Sequence, residues 1–133
     1  MRVTFEVNKS DLKSQIEQVK KDIEIEARVL LENIADDAVR FSIPFVDTGA
    51  YITSFGFIVG AGRPRGKSSH RKQRKISPTA AGAEASYNLA RDISRVDLYN
   101  TTSIDLYNGA PHAYLVETKH NHRVFERLEI KYG

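Results

Sequence analysis

The pattern of apolar and polar residues predicts one long helix near the start of the chain. From Leu12 to Phe41 the apolar positions follow one another at steps of three or four residues, which keeps them on one side of an α-helix. The stripe consists of Leu12, Ile16, Val19, Ile23, Ala27, Leu30, Ile34, Ala38 and Phe41. A helix of roughly 30 residues spans roughly 45 Å, more than a small domain needs. Either part of this helix contacts another subunit, or it only wraps a sheet.

Three short strands are predicted around this helix. Residues 2 to 7 alternate between apolar and polar side chains, which is the period of a half-buried strand. Tyr51 to Val59 predicts a second strand with a buried aromatic face, and Thr102 to Asn108 predicts a third. Within the second strand, Gly56 indicates a bulge or a close approach of the backbone to a neighbouring segment.

The segment between the long helix and the second strand predicts a corner. Proline has no backbone N–H and disfavours the helical conformation at the preceding residue, so Pro44 is expected to end the helix. Asp47-Thr48-Gly49 then predicts a turn, in which the Asp side chain bonds the backbone and Gly49 is free to take a positive φ.

The same tripeptide surrounds the catalytic carboxylate of aspartic proteases, in which two carboxyl groups share a proton. A dimer of this chain would supply such a pair at Asp47-Thr48-Gly49. Those enzymes are almost all-β, however, and here a long helix leads directly into the tripeptide. The turn is therefore the favoured interpretation, with a dimeric protease as a remote alternative.

The second half of the chain predicts further short helices. One begins at Ser77 or Thr79, and its apolar stripe consists of Ala83, Tyr87, Ala90 and Ile93. Asn121 can cap a last helix, although the pattern after it fits a strand equally well. Residues 1–133 are thus expected to form a single α+β domain, with the long N-terminal amphipathic helix packed on a small, mostly antiparallel β-sheet, further short helices and a long basic loop.

Charge is distributed unevenly along the chain. The net charge is only +3, but the stretch between Gly62 and Pro78 holds seven basic residues and no acidic one. The rest of the chain holds 13 basic residues and all 17 acidic ones, which gives it a net charge of −4. The seven basic residues are Arg63, Arg65, Lys67, Arg71, Lys72, Arg74 and Lys75. We expect a mobile loop over about residues 60–78 that either binds nucleic acid without sequence preference or docks on a neighbouring subunit.

Composition narrows the possible chemistry. The chain has no cysteine, so disulfides, thiolate metal sites and cysteine nucleophiles are excluded. No apolar run reaches the length of a membrane-spanning helix, and no membrane partner is predicted. His112, His120 and His122, with Glu117 between them, suggest a metal cluster, but no H-E-x-x-H spacing is present, and His120 and His122 would share a face only on a strand. Neither a metal nor a cofactor is predicted.

Two motifs in this order give the chain a family resemblance. Pro44-Phe45-Val46-Asp47-Thr48-Gly49 follows the long helix, and Leu-Tyr-Asn-x-x-Pro-x-Ala-Tyr-x-Val-Glu runs from Leu106 to Glu117. With the variable segment between them, they resemble the neck or tail-completion (head–tail connector) proteins of long-tailed bacteriophages. The motif residues to which the resemblance gives structural roles are Pro44, Asp47, Thr48, Gly49, Asn108, Tyr114 and Glu117.

The resemblance implies a structural virion protein without catalytic activity. Such a subunit would assemble into a homo-oligomeric ring of six- or twelvefold symmetry at the head–tail junction. Its expected partners are the phage connector or adaptor, the tail-tube or tail-terminator proteins, and DNA in the central channel. It would be made in the host cytoplasm and end in the virion. The alternative from the residues alone is a small nucleic-acid-binding protein that acts through the basic loop.

Overall fold

The computed structural model describes residues 1–6, 17–47, 49–60, 75–101 and 103–133. Across these residues the chain is α+β, with four α-helices and a small three-stranded antiparallel sheet, which confirms the predicted class. The elements are β1 (Arg2–Glu6), α1 (Glu17–Ser42), β2 (Phe55–Ile58), α2 (Pro78–Ser94), β3 (Ser103–Asn108), α3 (Ala113–Glu117) and α4 (Val124–Tyr132). Two short 3₁₀ turns, Ile43–Phe45 and Ile52–Ser54, lie between α1 and β2.

The sheet is organised around its last strand. Its order is β1-β3-β2, and both neighbours pair antiparallel with β3. Phe5 lies opposite Ile104, and Phe57 lies opposite Leu106; all four side chains are buried. The strands predicted at residues 2 to 7 and 102 to 108 are confirmed where the structure describes them. Because β3 comes last in sequence, the sheet forms only through pairings distant in the chain.

The strand predicted from Tyr51 to Val59 is correct only in its second half. The first half contains the 3₁₀ turn Ile52–Ser54, in which the Ser54 amide donates to the Tyr51 carbonyl at 3.1 Å, and the Thr53 amide donates to the Gly49 carbonyl at 3.0 Å. The Thr53 hydroxyl donates to the same carbonyl, and the Ser54 hydroxyl donates to Ala50. These local bonds compete with strand pairing. The expected alternation also fails, because all four residues of β2 are buried.

The predicted long helix is confirmed from Glu17 onward, while Leu12 and Ile16 lie outside the described residues. α1 contacts α2 along one side and α4 along another. Within its predicted stripe, Ala27, Ile34 and Ala38 are buried. The helix ends at Ser42, and the chain continues as the 3₁₀ turn that contains Pro44, as the proline predicts.

α2 begins as predicted but buries a different face. Ser77 caps it by accepting from the Ala80 amide at 3.1 Å. The core side is formed by Ala81, Gly82, Ala85, Leu89, Asp92 and Ile93, so the predicted stripe is wrong except for Ile93. The reason is that the 3₁₀ turn Ile43–Phe45 comes close to α2 at Gly82, where a Cβ would lie 3.2 Å from Ile43 Cδ1. The side with the smallest residue faces that contact.

The C-terminal segment is a helix rather than a strand, but Asn121 does not cap it. α4 begins at Val124, and Arg123, with φ 50° in the left-handed region, stands at the cap position. Asn121 also has a positive φ, of 57°. The chain thus turns sharply before α4. The side chain that accepts from an amide of the first turn is Glu117, from α3, and not a residue next to the helix. Among the described helices, none has the length and apolar character needed to cross a membrane.

A buried carboxylate joins α4 to α1. Asp37 accepts hydrogen bonds from Arg40 at 2.7 Å, from Lys131 Nζ at 2.6 Å, and from the Tyr132 hydroxyl. Burial alone would raise the pKa of Asp37, but the bonds from Lys131 and Tyr132 and the charge of Arg40 outweigh it and lower the pKa below its ordinary value of 3.8. The folded state therefore favours the ionised form of Asp37.

We expect Asp37→Asn to lower the free energy of unfolding by about 1–3 kcal/mol at neutral pH, because hydrogen bonds to a charged acceptor are lost. A carboxyl whose pKa is depressed by folding stabilises the protein above its ordinary pKa, and this contribution disappears as the pH falls through the folded value. The difference between wild type and Asp37→Asn, measured by urea unfolding, should shrink below about pH 4. A difference that stays constant down to pH 2 would contradict this account.

Gly56 lies where α2 approaches the edge of the sheet. Asp92 is buried, and its Oδ2 accepts from the Phe57 amide at 3.0 Å, so it occupies an edge amide of β2. A Cβ at Gly56 would lie 2.7 Å from this Asp92 oxygen and would also meet the Tyr107 ring. The close approach that the sequence predicts at Gly56 is therefore confirmed.

Gly56→Ala should reduce stability by about 1–3 kcal/mol, since the added methyl group must displace a buried side chain. Gly109→Ala is the matched control, because a Cβ there has its nearest neighbour at 3.9 Å, the Tyr107 Cε2. The control should change stability by no more than about 0.5 kcal/mol. Thermal and urea unfolding of both variants measure the contrast, and equal losses would show that the approach at Gly56 is looser than the distances indicate.

Candidate functional site

The two motifs of the sequence meet at one corner of the fold. Asn108, at the end of β3, donates through Nδ2 to the Tyr51 carbonyl at 2.8 Å. Its Oδ1 accepts from the Ala110 amide at 3.0 Å. Between these two residues, the Gly109 amide donates to the Ser54 carbonyl at 3.1 Å. Asn108 is buried, so both ends of its amide replace bonds to water. This side chain fixes the turn after the first motif to the strand of the second.

Glu117 completes the same corner. The residue is 5% exposed, and its Oε1 accepts from the Tyr51 hydroxyl at 3.3 Å and from the Phe125 amide at 2.8 Å. The second bond satisfies a free amide in the first turn of α4, the place that the sequence assigns to Asn121. We call Tyr51, Asn108, Glu117 and Phe125 the Glu117 corner. It joins the turn that follows the first motif, the second motif and the last helix.

The electrostatics of the Glu117 corner keep Tyr51 protonated. Burial, followed by the negative charge of Glu117 and the hydrogen bond to it, raises the pKa of the Tyr51 phenol well above its ordinary value of 10.0. Tyr51 therefore acts as a hydrogen-bond donor throughout the physiological range. Such a donor suits a structural contact, since a buried phenol and carboxyl satisfy each other without a water molecule.

The remaining motif residues are placed differently. Gly49 has φ 82°, as the predicted turn requires, and Asp47 is exposed beside it. The Asp47 carbonyl accepts from the Ile76 amide at 3.0 Å. This hydrogen bond connects the turn after α1 to the residues just before α2. Tyr114 points outward and is 66% exposed. Thr48 lies outside the described residues, so the protease alternative still depends on the tripeptide alone.

A cleft of about 420 Å³ opens beside the Glu117 corner. The Phe45 ring stacks on His122 with centroids 3.8 Å apart, and it also contacts the Tyr51 ring at 5.6 Å. The cleft is lined by Ser42, Phe45, Val46, Asp47, Gly49, Ala50, Tyr51, Ile52, His112, Val116, His120 and His122. The sequence pattern did not predict this aromatic cluster, although Phe45 lies within the first motif and Tyr51 two residues after it.

The three C-terminal histidines all line this cleft, but they are not arranged as metal ligands. His120 and His122 have ring centroids 6.4 Å apart, and His122 is engaged with Phe45. Within the described ranges, no group of three or more His, Asp or Glu residues has the geometry to hold a metal ion. The arrangement supports packing contacts of the imidazole rings.

Of the seven basic residues in the predicted loop, the structure describes only the last, Lys75. Lys75 is exposed, two residues before the cap of α2. The other six basic residues, Arg63, Arg65, Lys67, Arg71, Lys72 and Arg74, lie outside the described residues. Binding of nucleic acid or of a neighbouring subunit through this loop therefore stays a prediction from the sequence.

Comparison with known proteins does not assign this chain to a family. No family model matches the chain, and neither the curated proteins nor the solved structures give a significant match.

A double-mutant cycle tests whether Tyr51 and Glu117 act together. Glu117→Ala should cost about 2–4 kcal/mol, because it leaves buried donors on Tyr51 and Phe125 unsatisfied, and Tyr51→Phe should cost about 1 kcal/mol. The double variant should lose less than the sum by about 0.5 kcal/mol or more. Urea unfolding measures each value.

The control for this cycle is Tyr51→Phe combined with Asp37→Asn, which lies on α1 in a separate hydrogen-bonded cluster. Its two effects should add within about 0.5 kcal/mol. Additivity of Tyr51→Phe and Glu117→Ala as well would show that their hydrogen bond contributes nothing to stability.

Proposed function

We propose that this chain is a structural, non-enzymatic component of the head–tail junction of a long-tailed bacteriophage. The observation that carries the proposal is the Glu117 corner. The two motifs on which the family resemblance rests are far apart in sequence, yet Asn108 and Glu117 of the second bond directly to Tyr51, two residues after the first. The second motif is thus bonded to the turn that follows the first motif, and this contact supports a structural role for both.

The long first helix supports a role in assembly. α1 alone has 26 residues, a length of about 39 Å at 1.5 Å per residue. The predicted apolar stripe begins upstream at Leu12, and the described part of the helix contacts α2 and α4. The length beyond the core then contacts the next subunit in a homo-oligomeric ring.

The charge distribution supports the placement of this ring around DNA. The stretch between Gly62 and Pro78 holds seven basic residues, and the rest of the chain has a net charge of −4. In the proposed ring they face the channel or the adjacent subunit, while the two ends of the ring meet the connector and the tail-tube or tail-terminator proteins. Family likeness and charge are the support for these partners, since a fold by itself assigns none.

The proposal is tested in phage particles from the host that carries the gene. Antibody against this chain, viewed by negative-stain electron microscopy, should label the junction between head and tail. Deletion of the gene should leave unjoined heads and tails, and expression of the wild-type chain should restore joined particles. Particles that lack the protein, or that carry the label elsewhere, would overturn the proposal.

Asp47→Asn separates this function from the aspartic protease. Asp47 is exposed, so the substitution should leave the fold intact, and the variant should restore joined particles as well as the wild type does. A protease would lose its activity with this carboxyl group. Failure of a folded Asp47→Asn chain, as judged by its thermal unfolding, would favour the enzyme.

A further inference from the structure

Asn108 and Gly109 form a chemically reactive pair. In an Asn-Gly sequence, the backbone nitrogen of the glycine can attack the side-chain carbon Cγ of the asparagine, because glycine has no Cβ to obstruct the approach. The chain contains one Asn-Gly sequence, at Asn108-Gly109. Its other asparagines precede larger residues, such as Thr101 after Asn100. Asn108 is therefore the asparagine of this chain that is most susceptible to spontaneous deamidation.

Deamidation at this pair needs only a base and water. The base takes the proton from the Gly109 N–H, the nitrogen forms a bond to Asn108 Cγ, and the bond from Cγ to Nδ2 breaks. Nδ2 takes up a proton and leaves as ammonia, so that a succinimide ring remains. Water then adds to one ring carbonyl and breaks its bond to nitrogen. Attack at Cγ gives aspartate at position 108, and attack at the backbone carbonyl gives isoaspartate.

The folded chain restrains the groups that this reaction must move. Asn108 is 4% exposed, its Nδ2 donates to the Tyr51 carbonyl at 2.8 Å, and its Oδ1 accepts from the Ala110 amide at 3.0 Å. The Gly109 N–H, whose proton the base must remove, donates to the Ser54 carbonyl at 3.1 Å. Groups held in this way react only when the segment opens locally or the whole chain unfolds.

The products of deamidation cannot restore the bond to Tyr51. Aspartate and isoaspartate both carry a carboxylate in place of the amide, and an ionised carboxylate has acceptors but no donor. In the folded chain this carboxylate would replace the donor that Asn108 Nδ2 offers to the Tyr51 carbonyl, itself an acceptor. A buried charge without a donor opposes folding. Isoaspartate also adds one carbon to the backbone at the end of β3.

We infer that Asn108-Gly109 is a self-modification site that the fold protects. A chain that folds promptly keeps Asn108, because the reacting groups are then buried and hydrogen-bonded. A chain that stays unfolded, or in which the Glu117 corner opens, is converted irreversibly to a form that folds poorly. The reagent is water, and the inference does not depend on the proposed function.

Mass spectrometry of the full chain tests the protection, with peptide mapping to locate the converted residue. At mildly alkaline pH, the chain unfolded in guanidinium chloride should deamidate at Asn108 at least about 100-fold faster than the folded chain, since native proteins of ordinary stability open rarely. The folded sample contains sodium chloride at the same concentration, so that ionic strength is matched.

Gly109→Ala is the control variant for the chemistry. Its added methyl group hinders the attack on Asn108 Cγ, and in the folded chain a Cβ at this position has its nearest neighbour at 3.9 Å. The variant should fold as the wild type does, and its unfolded form should deamidate at Asn108 several times more slowly. Equally fast conversion of the unfolded variant would overturn the assigned route through the Gly109 nitrogen.

Refolding tests the consequence of the modification. Wild-type chains converted while unfolded are separated by ion exchange, since they carry one more negative charge, and are returned to native buffer. Their equilibrium constant for folding should be at least about tenfold lower than that of unconverted chains, because the donor to Tyr51 is lost. Asn108→Asp reproduces the aspartate product and should show a loss of the same size or fail to fold.

Two further results would overturn the inference. Equal deamidation rates in the folded and unfolded wild-type chain would show that the hydrogen bonds of Asn108 and Gly109 give no protection. Converted chains and an Asn108→Asp variant that both refold with the stability of the wild type would show that the modification has no effect on folding.

Discussion

The buried carboxyl group of Glu117 connects separate parts of this fold through its hydrogen bonds. Glu117 accepts from the Tyr51 hydroxyl and from the first turn of α4, so a single side chain connects the corner after α1, the short helix α3 and the C-terminal helix. Burying such a group without partners would cost several kcal/mol, and the two donors offset that cost. The requirement for both donors makes the corner specific as well as stable.

The Glu117 corner depends in turn on the sheet. β3 is the central strand, and Asn108 at its end carries the bond to Tyr51. The two neighbours of β3 come from the start and the middle of the chain, so no local segment can form the sheet alone. Asp37 plays the matching part on the helical side, where it holds Lys131 and Tyr132 of α4 against α1. Two buried carboxyl groups, at opposite ends of α4, thus fix the last helix.

How far the sequence predicts this structure depends on whether the deciding interaction is local. The helical structure from Glu17 to Ser42, its end near Pro44, the start of α2 at Ser77 and the positive φ of Gly49 are set by neighbours in the chain, and these predictions are confirmed. The predicted cap of α4 is wrong because Glu117, eight residues before Phe125, supplies the bond. The first half of the predicted second strand is wrong for a local reason, since the Thr53 and Ser54 hydroxyls bond to carbonyls four residues earlier. No periodicity carries that information.

The face of α2 shows why one wrong prediction is informative. The stripe of Ala83, Tyr87 and Ala90 has the spacing of a buried helix face, yet these residues are exposed in the single chain. Packing at Gly82 decides which side of the helix turns inward, and periodicity cannot distinguish two apolar sides. The spacing of apolar residues thus locates the two stripes of α2, and only its packed neighbours in the folded chain decide which stripe is buried.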